Sequence, residues 1–129
     1  MKRESVSVEV KAPPGRHLLA DFSGMNAETL RDSGRIMGCL RAALDKAGYH
    51  VVNEVEHKFE GGGEGFTGIL ILSESHAAVH TYPEHGYLAI DLFSCGSNDP
   101  HPVLDALAVE FLPGRIEINE IRRSPEARS

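Results

Sequence analysis

The sequence predicts an α/β fold, a two-layer α/β sandwich in which a mainly antiparallel sheet carries two main helices packed on one face. Three observations lead there. Several short runs alternate apolar and polar residues, the period-two pattern of half-buried strands. Two longer stretches place apolar residues at helical spacing. The strand-like runs follow one another across short turns, which favours antiparallel pairing, and two helices cannot cover both faces of such a sheet. A chain of 129 residues suits one domain, spanning 1–129.

Taken in order, Val6, Val8 and Val10 alternate with Ser5, Ser7 and Glu9, which predicts a strand over 5–10 that Ala12-Pro13-Pro14-Gly15 stops. A second strand runs from Arg16 to Phe22 and ends at Ser23-Gly24. Asn26 is a suitable N-cap for a long helix carried by Leu30, Ile36, Met37, Leu40 and Leu44, broken near Ser33-Gly34 and stopped by Gly48. Strands are then expected over Tyr49 to Phe59, Phe66 to Ser73, Ser75 to Tyr82 and Gly86 to Cys95, with turns at Gly61-Gly62-Gly63 and Pro83-Glu84-His85-Gly86. Asp99-Pro100-His101-Pro102 opens a second helix through Val103, Leu104, Leu107, Ala108 and Phe111, which Pro113-Gly114 ends. Ile116, Ile118 and Ile121 mark a last strand, and a loose charged tail is expected from Arg122.

Composition narrows the function. Thirteen Lys+Arg against nineteen Asp+Glu give a net charge of −6, which supplies no basic surface for a nucleic acid. No apolar run approaches the roughly 20 residues of a membrane span, and the N-terminal residues lack an apolar signal core, so no membrane partner and a cytoplasmic location are expected. Cys39 and Cys95 are too few for a disulfide framework and wrongly spaced for a zinc ribbon, so both are expected as free thiols.

Chemistry-bearing residues concentrate in SESHAAVHTYPEHGYLAIDLFSCG, residues 73–96. On a strand, residues four apart share a face, so His76 and His80 point the same way. The residues alone leave three readings open: a metal bound by His76, His80 and His85; a Cys95–His80 nucleophile pair in which the imidazole generates the thiolate; and attack by the Ser75 hydroxyl on its own backbone. Against each stands a plainer one: hydrogen-bonded polar strand residues, or an inert packed cysteine. Cys39, set among Met37 and Leu40, is expected to pack.

The same string closely resembles the pyruvoyl-dependent S-adenosylmethionine decarboxylase family of short prokaryotic type, in its S-E-S-H start, a histidine five residues after the second serine, a P-E-x-G-Y turn and an F-x-C-G end. Gly15-Arg16-His17-Leu18, His57-Lys58-Phe59 and Thr67-Gly68 extend the resemblance from Gly15 to Gly96. The resemblance implies a proenzyme that cuts itself between Glu74 and Ser75 into a β chain, 1–74, and an α chain, 75–129. Ser75 becomes the pyruvoyl group that condenses with the substrate amine, with His80 as processing base, Thr67 assisting the first step and Cys95 as proton donor. It implies neither a metal nor pyridoxal phosphate, and a product that donates an aminopropyl group for spermidine and other polyamines.

For S-adenosylmethionine itself, the resemblance offers Phe59 to stack on adenine and Glu84 for the ribose hydroxyls. Three departures stand out: Tyr82 where the family commonly has Trp, His85 where it has an aromatic, and Glu60-Gly61-Gly62-Gly63-Glu64 in place of a tighter loop containing proline. Relatives that share the processing motif decarboxylate arginine or ornithine, which is the alternative substrate class. An unprocessed, non-catalytic regulatory relative is the alternative outside catalysis. The short members resemble half of a duplicated enzyme, so a symmetric homodimer is expected, with both partners contributing to each pocket.

Overall fold

The computed structural model describes residues 15–125, so the strand expected over 5–10 lies outside the described residues. The elements run β1 (Gly15–Ser23), α1 (Ala27–Arg31), α2 (Ser33–Lys46), β2 (Val51–Lys58), β3 (Phe66–Leu72), β4 (His76–Tyr82), a 3-10 turn (Pro83–His85), β5 (Tyr87–Cys95), α3 (His101–Phe111) and β6 (Arg115–Arg123). Six strands form one sheet in the order β2-β3-β4-β5-β1-β6, every neighbouring pair antiparallel. This is the expected sandwich, with α2 and α3 as its two main helices.

Alternation along the strands divides the sheet into two unlike faces. One carries Leu18, Ala20 and Phe22 of β1, Leu88, Ile90 and Leu92 of β5, Ala77 and Val79 of β4, and Phe66, Leu70 and Leu72 of β3, all buried against Ile36, Met37, Leu40 and Leu44 of α2 and Val103, Leu104 and Leu107 of α3. Gly68 of β3 lies so close to α2 that a Cβ there would strike the Met37 side chain. Arg41 of α2 grips the Glu54 carboxylate of β2 with both Nε and Nη2, at 2.8 and 2.7 Å.

Among the described residues no helix covers the opposite face, which carries His17, Leu19 and Asp21, His76, His80 and Tyr82, and Tyr87, Asp91 and Phe93. Val55, Ile69, Ile71 and Ile121 share it and are 62%, 37%, 48% and 46% exposed.

The helix breaks at Asp32, beside Ser33-Gly34 as expected, where the Asp32 carboxylate accepts from Arg35 N–H and so caps a new helix. The structure corrects two other local expectations. The strand expected from Tyr49 starts at Val51, since Gly48 and Tyr49 finish α2. Gly48, at φ +94°, donates to Asp45 O and Tyr49 donates to Leu44 O, a Schellman closure that tucks Tyr49 into the core beside Leu44. The tail expected to be loose from Arg122 stays in the ladder, with Arg122 opposite Arg16 and Arg123 opposite Gly15.

Gly65 enters β3 where only a bare backbone fits: a Cβ there would meet the Thr81 carbonyl oxygen and Pro83 Cδ. Gly65→Ala therefore costs about 1–3 kcal/mol of stability, the usual range for overpacking. Urea unfolding in a Ser75→Ala background reads it as a lowered midpoint; an unchanged midpoint would contradict the packing described.

Candidate active site

The Glu74–Ser75 bond lies in the tight turn between β3 and β4, where Leu72 N–H donates to Ser75 O at 3.0 Å. Ser73 and Glu74 are exposed and Ser75 is half-buried. β4 begins one residue later, so Ser75 stands at the open end of the ladder. There the Cys95 N–H, at the end of β5, donates to Ser75 Oγ at 3.1 Å. The serine hydroxyl is thus held by the backbone of the cysteine expected to work beside it. A cavity of about 180 Å³ opens on this turn, lined by Ser73, Glu74, Ser75 and Cys95 on one side and Gly48, Tyr49, His50 and Asn98 on the other.

Thr67 and His80 form a second couple. They face each other across β3 and β4, and Thr67 Oγ1 lies 2.9 Å from His80 Nδ1. A hydroxyl bonded to an imidazole can pass a proton to it or have its own proton drawn off. Phe59, Tyr82 and Glu84 belong to the same end of the sheet: the Phe59 and Tyr82 rings are 5.8 Å apart, and Tyr82 leads into the turn that carries Glu84. The glycine loop folds onto that turn, with Gly63 packed so closely on Glu84 that a Cβ would collide with its carboxylate.

The structure does not bring the two couples together within one chain. At about 3.3 Å per residue, His80 lies about 16 Å along the strand from Ser75. Within one chain His80 and Thr67 thus stand apart from Ser75, because residues that share a face need not be close. Within one chain the same distance separates Cys95 from His80, since Cys95 lies six residues beyond Ala89, which is opposite His80. It also separates the three histidines. His76 sits between Phe93 and His17, at 5.7 and 6.0 Å between ring centroids, while His80 is bound to Thr67. Among the described residues no three His, Cys, Asp or Glu side chains are placed to hold a metal.

Two further features of this region escaped the sequence reading. Tyr82 stacks on Tyr87 at 5.6 Å, and Tyr87 OH donates to Asp21 Oδ1 at 2.5 Å, a bond that, with burial, pushes the phenol up to about 12. The phenol is a donor throughout the physiological range, so Asp21 fixes an aromatic row of Phe59, Tyr82 and Tyr87 on the uncovered face. The Tyr49 hydroxyl lies 2.6 Å from Ser94 Oγ in the core. Neither pair has a sequence signature, because each joins residues far apart in the chain. Cys39 packs half-buried against the core, as expected, and burial raises its thiol.

Comparison with known proteins agrees with the motif and the fold. Residues 16–124 match the sequence model of the S-adenosylmethionine decarboxylase family. A protein of Syntrophomonas wolfei named S-adenosylmethionine decarboxylase proenzyme is 36% identical over 110 residues, covering 84% of this chain and 86% of its own. One of the same name from the archaeon Methanococcus maripaludis is 34% identical over 110 residues, covering 84% and 88%. The crystal structure of an adenosylmethionine decarboxylase from Aquifex aeolicus superposes with a TM-score of 0.77 at 27% identity, over 92% of this chain and all of that one. Motif, sheet and relatives converge: the chain belongs to the S-adenosylmethionine decarboxylase family.

Proposed function

We propose that this protein is a self-processing decarboxylase of S-adenosylmethionine, made as a proenzyme that cuts itself between Glu74 and Ser75 and works as a homodimer. One observation carries the reading: the Ser75 hydroxyl is already tethered by Cys95 N–H beside the bond to be cut. In the first step Ser75 Oγ attacks the Glu74 carbonyl carbon, the C–N bond breaks, the freed amine takes the hydroxyl proton, and an ester links the two halves. Removal of the Ser75 α-proton then expels Glu74 as a carboxylate. Water converts the remaining dehydroalanine to the pyruvoyl group with loss of ammonia.

Thr67 and His80 are the hydroxyl and base for these steps, acting from a second copy of the chain. The distance within one chain supports this, as does the uncovered face. Val55, Ile69, Ile71 and Ile121 leave an apolar surface on that face of a kind that marks contact with another protein. Two such faces stacked about a two-fold axis lay the Thr67–His80 end of one chain over the Ser75–Cys95 end of the other. Each dimer then holds two sites, and the single domain of 1–129 becomes chains 1–74 and 75–129 without coming apart, because β4 stays in its ladder between β3 and β5.

The site fits the group. Ser75 stands one residue before β4, beside a cavity, so a new chain end there has room and fixed neighbours. The pyruvoyl carbonyl supplies the electron sink that loss of carbon dioxide from an α-amino acid needs, as the aldehyde of pyridoxal phosphate does elsewhere. The Cys95 thiol stands beside that terminus as the proton donor to the substrate carbon. Phe59 and Tyr82 offer a flat face for adenine, and Glu84 an acceptor for the ribose hydroxyls. The product is an aminopropyl donor for polyamine synthesis. Cytoplasmic residence goes with this reading, since a working thiol persists in reducing surroundings.

Two measurements test the proposal. Intact mass of the purified wild-type protein should show two chains, with a keto group at position 75, while Ser75→Ala gives one uncut chain; a cut between 74 and 75 in the variant would sink the mechanism. Carbon dioxide release from processed enzyme should occur with S-adenosylmethionine. Stacking on an aromatic ring is worth about 1–3 kcal/mol, so Phe59→Ala should weaken use of that substrate by about 5-fold to 150-fold and leave self-cleavage intact. Release from arginine or ornithine, with none from S-adenosylmethionine, would overturn the substrate assignment.

A further inference from the structure

We infer that Tyr49 is a positioning residue for self-cleavage: with Ser94 and Asn98 it forms a strap that sets the Cys95 amide, and through it the Ser75 hydroxyl. The inference rests on the self-processing reading above and concerns residues that reading does not use.

The strap begins at the end of α2. Gly48 adopts φ +94°, and the Schellman closure turns the chain so that Tyr49 enters the core, 7% exposed. Its hydroxyl lies 2.6 Å from Ser94 Oγ. Ser94 is 3% exposed, and with Thr81 it makes up the buried polar residues among those described. A buried hydroxyl without a partner is costly, so this pair is strongly held. Ser94 Oγ also donates to Asn98 O at 3.2 Å, and Asn98 Nδ2 donates to Gly48 O at 3.2 Å. The three bonds close a loop between the α2–β2 connection and the segment that follows β5.

Cys95 sits at the centre of that loop. Successive strand residues face opposite ways, so Tyr49 holds Ser94 on the helix side while the Cys95 side chain projects toward the uncovered side. Gly96, at φ +86°, ends the strand at once. Cys95 pairs with Gly15 of β1 at the end of β5, and a fastening on the helix side adds to that pairing. The strap is that fastening. The one backbone group it steadies beside the scissile bond is Cys95 N–H, which holds Ser75 Oγ at 3.1 Å. A serine hydroxyl free to rotate spends less time aimed at the Glu74 carbonyl, which lowers the rate of attack.

The test follows cleavage of the full-length chain made in a cell-free system, as the rate at which precursor becomes the two fragments. Tyr49→Phe and Ser94→Ala should each slow it about 10-fold, equal to about 1.4 kcal/mol in the barrier. Because the two act as one pair, the double variant should be no slower than either single. Ser94→Thr, which keeps the hydroxyl, should cleave near the wild-type rate. Asn98→Ala, a change outside the core, should slow cleavage while the unfolding midpoint, measured in a Ser75→Ala background, stays at that of Ser75→Ala alone. Tyr49→Phe or Asn98→Ala cutting at the wild-type rate would overturn the strap, as would a double variant slowed by the product of the two single effects. If the wild-type chain itself stays uncut, it is the self-processing reading that fails.

Discussion

The rise of a β-strand governs this molecule. At about 3.3 Å per residue, five residues of β4 hold Ser75 and His80 about 16 Å apart, and the six-stranded ladder around them leaves no freedom to shorten that distance. The residues of the proposed site therefore fall into two groups at opposite ends of one sheet face. One has a hydroxyl and a thiol at the bond proposed to break; the other has the proposed base, a second hydroxyl and an aromatic row. A rigid sheet keeps each half well formed and prevents the halves of one chain from meeting. In the proposed dimer a second copy laid on the same face would bring them together, and would cover apolar side chains that the helices leave bare.

The division of labour between the faces follows from alternation. The buried residues pointing to the helices are almost all apolar and make the core; those pointing the other way include His17, His76, His80, Tyr82, Tyr87 and Asp21. The exceptions on the core side are informative. Thr81 accepts from Phe66 N–H, which secures the start of β3 beside Thr67, and Ser94 is bonded to Tyr49, which secures the end of β5 beside Cys95. Each buried hydroxyl thus lies one residue from a residue of the proposed site, His80 or Cys95.

Much of this was legible in the chain. Period-two and helical spacing located the strands and helices within the described residues, and the short turns foretold their antiparallel order. The motif from Ser73 to Gly96 pointed to Ser75, His80 and Cys95, and the shared facing of His76 and His80 was correct. Three things were not legible, for physical reasons. Alternation reports the face of a residue and says nothing of its distance from another on that face, so the separation of His80 from Ser75 was missed. The helix break near Ser33-Gly34 was legible, but its exact residue, Asp32, depends on a single side-chain cap. The Tyr49–Ser94 and Tyr87–Asp21 bonds join residues 45 and 66 apart, which local patterns do not relate.

The central claim is that each site is built from two chains, and mixed dimers test it directly. A Ser75→Ala chain and a His80→Ala chain, differently tagged, are each made alone and then together, and the His80→Ala chain is examined for a cut after Glu74. Alone, both should stay whole. In the mixed dimer, the intact Ser75 of the His80→Ala chain meets the intact Thr67 and His80 of its partner, so that chain should be cut while the Ser75→Ala chain is not. A His80→Ala chain that cuts itself when alone, or that stays whole in a mixed dimer captured through both tags, would contradict the account.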